Sequence, residues 1–404
     1  MKNVHSCDRS SSYPDVLVNH RYPCGKFIEL GEITEEHFDE LYYGGKAILM
    51  RVAFVNIRLK EYEWGCPYLS RDKSREILKG TYDNGRILFA DYLETTITDI
   101  DWKIIEYEYE WDDVYFLDVA YTRYGELPKK FKDLINEYYR RKTDLKGIPS
   151  EELNYYRAKQ KLNSLYGLSA MKVVRNKIVF EDGMLVEKTD VDVEAELEKD
   201  NKRRVLLPYQ VGVWCTAWAR WELEEGIKNV FRHKGTFIYT DTDSIKYIGD
   251  ISFKDYNRKR RSRSKHNGAY AKDPNGHDHY MGVFEDEGIA QEFITYGAKK
   301  YAYTDEKGKL HITVAGVIKN SGARELEAYG GIRAFKPDFI FVESGGLEAV
   351  YNDFPEIRSY EIEGHTIDIT SNVVLRPSTY TLGITSEYEY LLKISNLQNY
   401  VDVF

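Results

Sequence analysis

The sequence predicts an α+β fold divided into more than one subdomain. A region rich in β-branched and aromatic residues, from 47 to 118, predicts a series of strands. Two segments with apolar residues at helical spacing follow it, between 128 and 167. At 404 residues the chain is too long for a single compact core, so two or more subdomains are expected.

Composition restricts the class of protein. The formal net charge of −9 argues against a generally basic surface, but it allows a local basic channel, because phosphate binding depends on where the cations lie. The four cysteines form no CxxC pair, which argues against a zinc ribbon or a disulfide framework. The sequence has no apolar run of about 18 residues, the length that a membrane helix needs, and so it predicts a soluble cytoplasmic protein without a membrane partner.

The N-terminal region is expected to start with a short strand. Within residues 1–14 this strand ends at Asp8, and a serine-rich turn follows it. Residues 37–43 have a helical pattern and residues 47–59 have a strand pattern, so the YYGG between them predicts a turn.

A helical hairpin is predicted after the strands. Its first helix is expected to start at Pro128 and to stop at Gly147. Its second helix is expected to be capped by Ser150 and ended by Gly167. The short connection predicts that the two helices are antiparallel.

The remainder of the chain alternates between helix and strand patterns. Residues 169–207 resemble an inserted β-hairpin arm with a charged stretch at its end, and residues 209–231 predict a mostly buried helix. The segment YTDTDS at 239–244 predicts a second hairpin. Residues 257–268 are strongly basic and are expected to be flexible, and the tail from 323 onward predicts strands and turns.

Two carboxylates, Asp241 and Asp243, lie at the tip of the YTDTDS hairpin. Residues i and i+2 of a strand share a face, and carboxylates held so close repel each other unless a cation lies between them. A two-metal phosphoryl-transfer site needs carboxylates that bridge ions roughly 3.5 to 4 Å apart. Asp8 and Asp243 are the candidates, with Asp241 as an outer acid. A lone DxD is more often a turn with two solvated acids.

A second group of polar side chains shares one face of the second predicted helix. Lys159, Asn163 and Tyr166 lie at positions i, i+4 and i+7. A triphosphate requires a cation such as the lysine, and a base pair offers an edge to the amide and a face to the ring. Taken alone, the pattern also fits an ordinary amphipathic helix with a solvated lysine.

Three motifs in one order give these residues a common interpretation. They are DRSSSYP at 8–14, KQKLNSLYG at 159–167 and YTDTDS at 239–244. In this combination the sequence resembles the family B DNA polymerases, and within them the protein-primed bacteriophage branch. The motifs match DxxSxYP, KxxxNSxYG and YxDTDS, with Ser12 where leucine is common.

Two shorter matches extend the resemblance. TAWAR, from Thr216 to Arg220, resembles the primer-template motif TxxGR with alanine in place of glycine. KKY, which includes Lys299 and Tyr301, resembles KxY. The resemblance implies that all four residues bind DNA near the primer terminus, although KKY alone is more often a solvated strand pair.

The resemblance implies a right-hand polymerase: an antiparallel-sheet palm, helical-hairpin fingers and a small thumb. The palm takes residues 1–20 and 208–322, and the fingers take 129–168. Residues 21–128 combine palm strands with a first terminal-protein-region insertion, and 169–207 are a second insertion. The thumb and tail take 323–404.

The resemblance also assigns roles to the candidate residues. Asp8 and Asp243 bind two Mg²⁺ ions, with Mn²⁺ as a substitute. Lys159 and Lys142 bind the triphosphate, and Tyr13 lies under the sugar and excludes a 2′-hydroxyl. Tyr166 and Asn163 line the nascent base pair. The implied partners are primer-template DNA, dNTPs, a terminal protein that primes synthesis, and a separate exonuclease chain.

One family feature is missing from the sequence. Family members carry a proofreading exonuclease before the first motif, whereas only seven residues precede Asp8 here. We therefore expect a polymerase domain alone, either the product of a split gene or part of a longer chain. The sequence leaves open whether a protein or a nucleic acid primes synthesis.

Two rival functions and one local alternative stay open at this point. The chain could be a non-catalytic subunit that binds DNA or a priming protein, but an idle site has no use for repulsive carboxylates. It could also be an RNA-templated or RNA-making polymerase, which Tyr13 disfavours. The basic run at 258–265 could follow phosphates, but such runs are more often solvated loops.

Overall fold

The structure is a computed structural model, and it divides the chain into two compact units. It describes residues 1–60, 66–171, 174, 177–181, 184–188, 191–203, 208–342, 344–362 and 364–384. The first unit contains the described residues between 2 and 170 and between 208 and 290. The second unit contains residue 1 and the described residues of 171–203 and 291–384.

The described elements mix helices and strands throughout. The helices are α1 (Ser12–Asn19), α2 (Glu35–Tyr43), α3 (Asp99–Glu108), α4 (Lys129–Asp144), α5 (Glu152–Ser169), α6 (Val193–Arg203), α7 (Tyr209–Arg232), α8 (Lys254–His266) and α9 (Lys319–Ala328). The strands up to the second hairpin are β1 (Lys2–Arg9), β2 (Tyr22–Ile33), β3 (Lys46–Leu59), β4 (Ser74–Leu78), β5 (Thr81–Asp83), β6 (Arg86–Thr98), β7 (Tyr109–Glu110), β8 (Asp113–Gly125), β9 (Lys177–Glu181) and β10 (Met184–Lys188). The later strands are β11 (Thr236–Asp241), β12 (Ser244–Ile248), β13 (Tyr270–Lys272), β14 (Asp278–Tyr280), β15 (Phe284–Thr295), β16 (Lys300–Thr304), β17 (Leu310–Val314), β18 (Ile340–Phe341), β19 (Leu347–Ile362), β20 (His365–Pro377) and β21 (Tyr380–Thr381).

One sheet of the first unit carries the acidic motifs. Its strands lie in the order β11, β12, β1 and β15, so the N-terminal strand pairs with the YTDTDS hairpin. The predicted buried helix, α7, packs against this sheet through Leu223, Ile227 and Val230. A Cβ added at Gly226 would lie 2.5 Å from the Phe284 ring, so glycine lets the helix approach the sheet closely.

A second sheet of the first unit corresponds to the predicted β-rich region. Its main strands lie in the order β2, β8, β3, β6 and β4, and β5 and β7 pair at its margins. Sequence analysis missed α3, which interrupts these strands. Thr98 caps α3, and its side chain and that of Asp101 form a reciprocal capping box. The turn predicted at YYGG is confirmed, because Gly44 and Gly45 follow the end of α2.

The predicted helical hairpin is present as α4 and α5, which pack against each other. Two details differ from the expectation. The residue before α5 is Glu151 rather than Ser150, because a 3₁₀ turn at Pro149–Glu151 comes between the helices. The second helix also continues past Gly167 to Ser169. Both helices share an apolar core with α1 and α7, formed by Leu17, Ile135, Leu162 and Trp214 among others.

The arm predicted at 169–207 contains the expected hairpin, since β9 and β10 are antiparallel. Its charged end was not expected to be regular, but it forms α6. Charged residues at i and i+4 support this helix, as in the pair Lys202–Glu198 at 2.7 Å. Residues 172, 173, 175, 176, 182, 183, 189, 190 and 204–207 of this segment lie outside the described residues.

The prediction of a flexible basic segment at 257–268 is wrong. These residues form most of α8, a regular helix of the first unit. Two of its arginines, Arg260 and Arg263, point inward and pair with buried carboxylates. The pattern was misinterpreted because the partners of these charges are remote in sequence.

The described residues of the second unit form four antiparallel strand pairings beyond the arm. The end of β15 pairs with β16 and β16 with β17, β18 pairs with β21, and β19 forms a long hairpin with β20. The strands expected in the tail are therefore confirmed up to residue 384, and α9 was not predicted. None of the described helices has the length and apolarity to cross a membrane.

Candidate active site

The YTDTDS hairpin brings its acids to a tight turn. Strands β11 and β12 are antiparallel with Asp241 opposite Ser244, so Thr242 and Asp243 form the turn. The Asp243 amide donates to the Asp241 carbonyl at 2.7 Å, and the Thr240 hydroxyl donates to the Ser244 carbonyl at 2.8 Å. Thr242 has φ of 60°, which is a strained conformation for a β-branched residue. The hairpin thus holds the acidic turn in one defined shape.

Asp8 and Asp243 converge, as the sequence predicted. Strand β1 pairs with β12, with Asp8 opposite Ser244, and the Arg9 amide donates to the Asp243 carbonyl at 2.8 Å. The Asp8 and Asp243 side chains lie close enough to share a hydrogen bond. The carboxyl group of Asp8, on β1, therefore lies beside that of Asp243, in the turn before β12.

The electrostatics of this pair favour a bound cation. Burial and then the charges of Asp243 and Glu287 raise the pKa of Asp8 to about 7. The pKa of Asp243 is also raised, chiefly by burial and with a contribution from Asp241. A divalent ion between the two carboxylates would replace their repulsion by attraction.

The donor set fits Mg²⁺. This ion uses hard oxygen ligands and commonly takes one or two carboxylates from the protein, with water and substrate phosphates completing the octahedron. Within the described ranges no group of three or more His, Cys, Asp or Glu side chains has metal-binding geometry. The Asp8–Asp243 pair thus suits an ion that shares its ligands with a substrate, rather than a closed structural site.

Tyr13 lies in the first turn of α1, a helix that begins within the segment predicted to be a serine-rich turn. Ser11 has φ of 48° before this helix, and this left-handed residue redirects the chain between Asp8 and Tyr13. The Tyr13 ring stacks on that of Tyr166 from α5, with centroids 4.1 Å apart and planes at 14°. Two residues assigned to the nucleotide are therefore in contact.

Lys142 and Lys159 form the basic side of the site. Lys142 donates to the Ser11 hydroxyl at 3.1 Å, which connects α4 to the first motif. Burial and then the charge of Lys159 lower the pKa of Lys142, whereas Asp8 opposes this shift. Two cations close to each other and to the acidic pair make a site that favours a polyanion. Asn163 lies exposed on the same helix as Lys159.

The TAWAR residues have partners inside the protein. The Thr216 hydroxyl donates to the Val213 carbonyl of its own helix at 2.7 Å. Arg220 donates to Asp101 of α3 and to the Tyr68 hydroxyl, both at 2.6 Å. Arg220 thus connects α7 to α3. Its contact with DNA stays a prediction.

Replacing Arg220 with alanine is expected to lower the free energy of unfolding by about 2–4 kcal/mol, because Asp101 would lose its partner while mostly buried. The Asp101 side chain is only 8% exposed. Urea denaturation measures this change. Arg232→Ala removes the same charge from the exposed end of α7 and should cost under about 0.5 kcal/mol. Equal effects of the two substitutions would contradict a structural role for Arg220.

Lys299 and Tyr301 belong to the second unit. Lys299 has φ of 55° in the turn before β16, and Tyr301 lies in β16 opposite Thr295. The Tyr301 ring stacks on Phe293 with centroids 5.5 Å apart. Their contact with a primer stays a prediction.

Sequence analysis missed two charged residues that interact with the acidic pair, Arg9 and Glu287. It also missed the charges that pair with Arg9 or with its partners, which are Asp15, Glu222, Arg260 and Arg263. Two signals were present: Arg9 follows Asp8 directly at the end of a half-buried strand, and Glu222 lies in an otherwise largely apolar helix. A charge in such a place is expected to have a buried partner.

Known proteins resemble both the sequence and the structure. Residues 1–257 match the family model described as DNA polymerase type B, organellar and viral. Phi29 DNA polymerase complexed with primer-template DNA and incoming nucleotide substrates matches with a TM-score of 0.62 and 19% identity, over 94% of this chain and 58% of that chain. Its binary complex with primer-template DNA matches with a TM-score of 0.61 and 17% identity, over 95% of this chain and 58% of that chain. A search of curated proteins finds no match.

These likenesses confirm the predicted fold class, an α+β right-hand polymerase fold. The chain spans 58% of the length of the Phi29 polymerase chains that it matches. A third Phi29 structure, complexed with single-stranded DNA, matches with a TM-score of 0.60 and 18% identity, over 94% of this chain and 58% of that chain.

Proposed function

Because the chain belongs to the organellar and viral type B DNA polymerases, we propose that it is a DNA-directed DNA polymerase. It adds dNTPs to the 3′-hydroxyl of a primer on a DNA template and releases pyrophosphate. The observation that carries this proposal is the convergence of Asp8, on β1, and Asp243, in the turn before β12, beside two lysines. Phi29 polymerase, which has the same fold, is described in complexes with primer-template DNA and incoming nucleotides.

The acids and the lysines of the site have different proposed roles in the reaction. Asp8 and Asp243 would hold two Mg²⁺ ions, for which Mn²⁺ can substitute, and Asp241 supports them from the outer side. When bound, such ions lower the pKa of the attacking hydroxyl and stabilise the leaving pyrophosphate. Lys142 and Lys159 bind the triphosphate.

The remaining residues of the site select the substrate. Tyr13 and Tyr166 lie stacked, where the sugar and the nascent base pair are expected, and Asn163 lies on the same helix. Thr216, Arg220, Lys299 and Tyr301 are proposed to hold the DNA near the primer terminus.

A primer-extension assay tests this function. We expect extension with dNTPs in the presence of Mg²⁺ or Mn²⁺ and none after chelation. A non-catalytic DNA-binding subunit would bind primer-template with no extension under either condition. An RNA-making enzyme would prefer rNTPs. Each rival therefore gives a distinct pattern of products.

Tyr13→Ala is expected to reduce the preference for dNTPs over rNTPs by about tenfold, since a 2′-hydroxyl would no longer clash with the ring. Competition between labelled dNTP and rNTP in single-nucleotide extension measures this ratio. Tyr13→Phe keeps the ring and serves as the matched control, for which the wild-type ratio is expected. An unchanged ratio in Tyr13→Ala would remove the sugar-selecting role.

We further propose protein-primed, strand-displacing replication of a bacteriophage genome in the host cytoplasm. Two observations support this proposal. The sequence resembles the protein-primed bacteriophage branch, and the arm formed by β9, β10 and α6 lies at the position in the sequence where that branch has its second insertion. The partners are a terminal protein that offers a hydroxyl group and a separate exonuclease chain. Transfer of labelled dNMP to a candidate terminal protein, in the absence of a nucleic-acid primer, tests the priming mode.

A further inference from the structure

A largely buried group of charges in the first unit is connected to the acidic pair through Arg9. We call it the arginine cluster, and its members are Arg9, Asp15, Glu222, Arg260 and Arg263. They come from β1, α1, α7 and α8. The Arg9 and Asp15 side chains are fully buried, and the Glu222 side chain is 1% exposed.

Glu222 is the centre of the cluster. Its carboxylate contacts Arg260 at 2.5 Å and Arg263 at 3.2 Å, and it accepts a hydrogen bond from the Tyr256 hydroxyl at 2.8 Å. It also lies 3.7 Å from the Arg9 guanidinium. Helix α8 thus holds Glu222 through two arginines, and Glu222 faces Arg9.

The cluster is charged rather than neutral. Burial alone would raise the pKa of Glu222, but the charges of Arg9 and Arg260 and a hydrogen bond from His20 hold it well below the usual value. Buried ion pairs often stabilise a fold no better than apolar residues of the same volume. Stability alone is therefore a weak reason for three buried and two half-buried charges, whereas fixed orientation is a use that such networks can serve.

Arg9 connects the cluster directly to the site. Its amide donates to the Asp243 carbonyl at 2.8 Å, and its neighbour in sequence is Asp8. Its guanidinium donates to the Ser12 hydroxyl at 3.0 Å and to the Ser12 carbonyl at 3.3 Å, and it pairs with Asp15. One residue thus spans the carboxylate pair and the start of the helix that carries Tyr13.

We propose that the arginine cluster positions Asp8, Asp243 and Tyr13, and that α8 acts on the site through Arg260, Glu222 and Arg9. The members are positioning residues, since none of them is placed against the substrate. This inference rests on the proposed polymerase function and deepens it. It also assigns to α8 a positioning role in place of the contact with DNA phosphates considered from the sequence.

The test compares two arginines of the same helix. Arg260→Gln removes an inward charge, and Arg258→Gln removes an outward one whose side chain is 77% exposed. We expect Arg260→Gln to lower the rate of single-nucleotide incorporation about tenfold and to lower the preference for dNTPs over rNTPs severalfold. The affinity for primer-template should stay within about twofold. Arg258→Gln should match the wild type in rate and preference.

Two readouts do not depend on activity. Mn²⁺ binding without substrate, measured by electron paramagnetic resonance, should weaken about fivefold in Arg260→Gln, because the two carboxylates lose their fixed separation. Hydrogen exchange of the Arg9 amide should accelerate, since its bond to Asp243 would open more often. Neither quantity should change in Arg258→Gln. If Arg260→Gln only reduced the fraction of folded protein, the amount of product in the incorporation assay would fall, but the preference for dNTPs over rNTPs would not change.

The outcomes separate the inference from the proposed function. Wild-type rate, sugar preference, Mn²⁺ affinity and Arg9 exchange in Arg260→Gln would overturn the positioning role. Loss of DNA affinity in both variants with unchanged incorporation rate would also overturn it, in favour of a DNA contact by α8. If Arg260→Gln does not fold, Arg263→Gln, whose side chain is 25% exposed, is judged by the same criteria. If the wild type extends no primer, the proposed function fails, and Mn²⁺ binding and amide exchange still decide the inference.

Discussion

Replacing Asp243 by alanine is expected to lower primer extension by about 10³-fold or more while primer-template affinity stays within about twofold. Asp243 lies in the turn before β12, and the pairing of β1 with β12 brings it beside Asp8. Its loss leaves Asp8 without the partner that it needs to hold a cation pair. DNA binding depends instead on cations that meet phosphates, so it should persist and even strengthen slightly as a negative charge is removed.

The measurement is single-turnover extension at saturating Mg²⁺, with affinity from fluorescence anisotropy of labelled primer-template. Asp250→Ala removes an exposed acid just after β12 and is the matched control, with wild-type extension expected. Asp241→Ala should have an intermediate effect, because this acid is assigned to the outer side of the site. Extension by Asp243→Ala at the wild-type rate would refute the assignment of the active site.

Lys159→Gln is expected to lower kcat/KM for the incoming dNTP about 100-fold, the loss typical when one charged group that stabilises a transferring phosphoryl group is removed. Lys159 lies exposed on α5, and its charge helps to lower the pKa of Lys142. The Nζ of Lys142 contacts Ser11 of the first motif. Two cations in this arrangement repel each other until an anion binds between them. A triphosphate would relieve that repulsion, and it would raise the pKa of Lys142 from its lowered value.

Lys161→Gln is the control for this prediction, because Lys161 carries the same charge on the same helix but lies over the Tyr138 ring at 5.8 Å. Pre-steady-state incorporation at varied dNTP concentration separates binding from the chemical step. Equal losses in Lys159→Gln and Lys161→Gln would point to a general effect of charge and would remove the specific role of Lys159.

The sequence predicted the parts of the site that are local. The YTDTDS turn, the helical face with Lys159 and Tyr166, and the strand that ends at Asp8 each depend on neighbouring residues, and all are present. Those parts were predictable because strand alternation, helical spacing and turn residues act over a few positions. The three motifs together then predicted that the acids meet.

The errors concern elements whose stability comes from remote partners. Helix α8 is dominated by charge, and its sequence resembles a solvated loop until Arg260 and Arg263 are placed against Glu222 and Asp15. Helix α3 lies between strands, and sequence analysis missed its one local signal, the capping box of Thr98 and Asp101; its remote stabilisation comes from packing against α7. Propensity is a weak guide in such segments, because tertiary contacts supply most of the stabilisation.

The sequence by itself determined which chemical groups are available: acids of the type that binds divalent ions, lysines of the type that binds phosphates, and a tyrosine that is proposed to contact the sugar. Only the tertiary structure decided how Asp8 and Asp243 are brought together, because the pairing of β1 with β12 joins strands from distant parts of the chain. It also decided that Arg260 and Arg263 of α8 lie against Glu222 and Asp15, which pair with Arg9. Local patterns fix the geometry of each segment, whereas the pairing of remote strands and buried charges depends on the free energy of the whole fold.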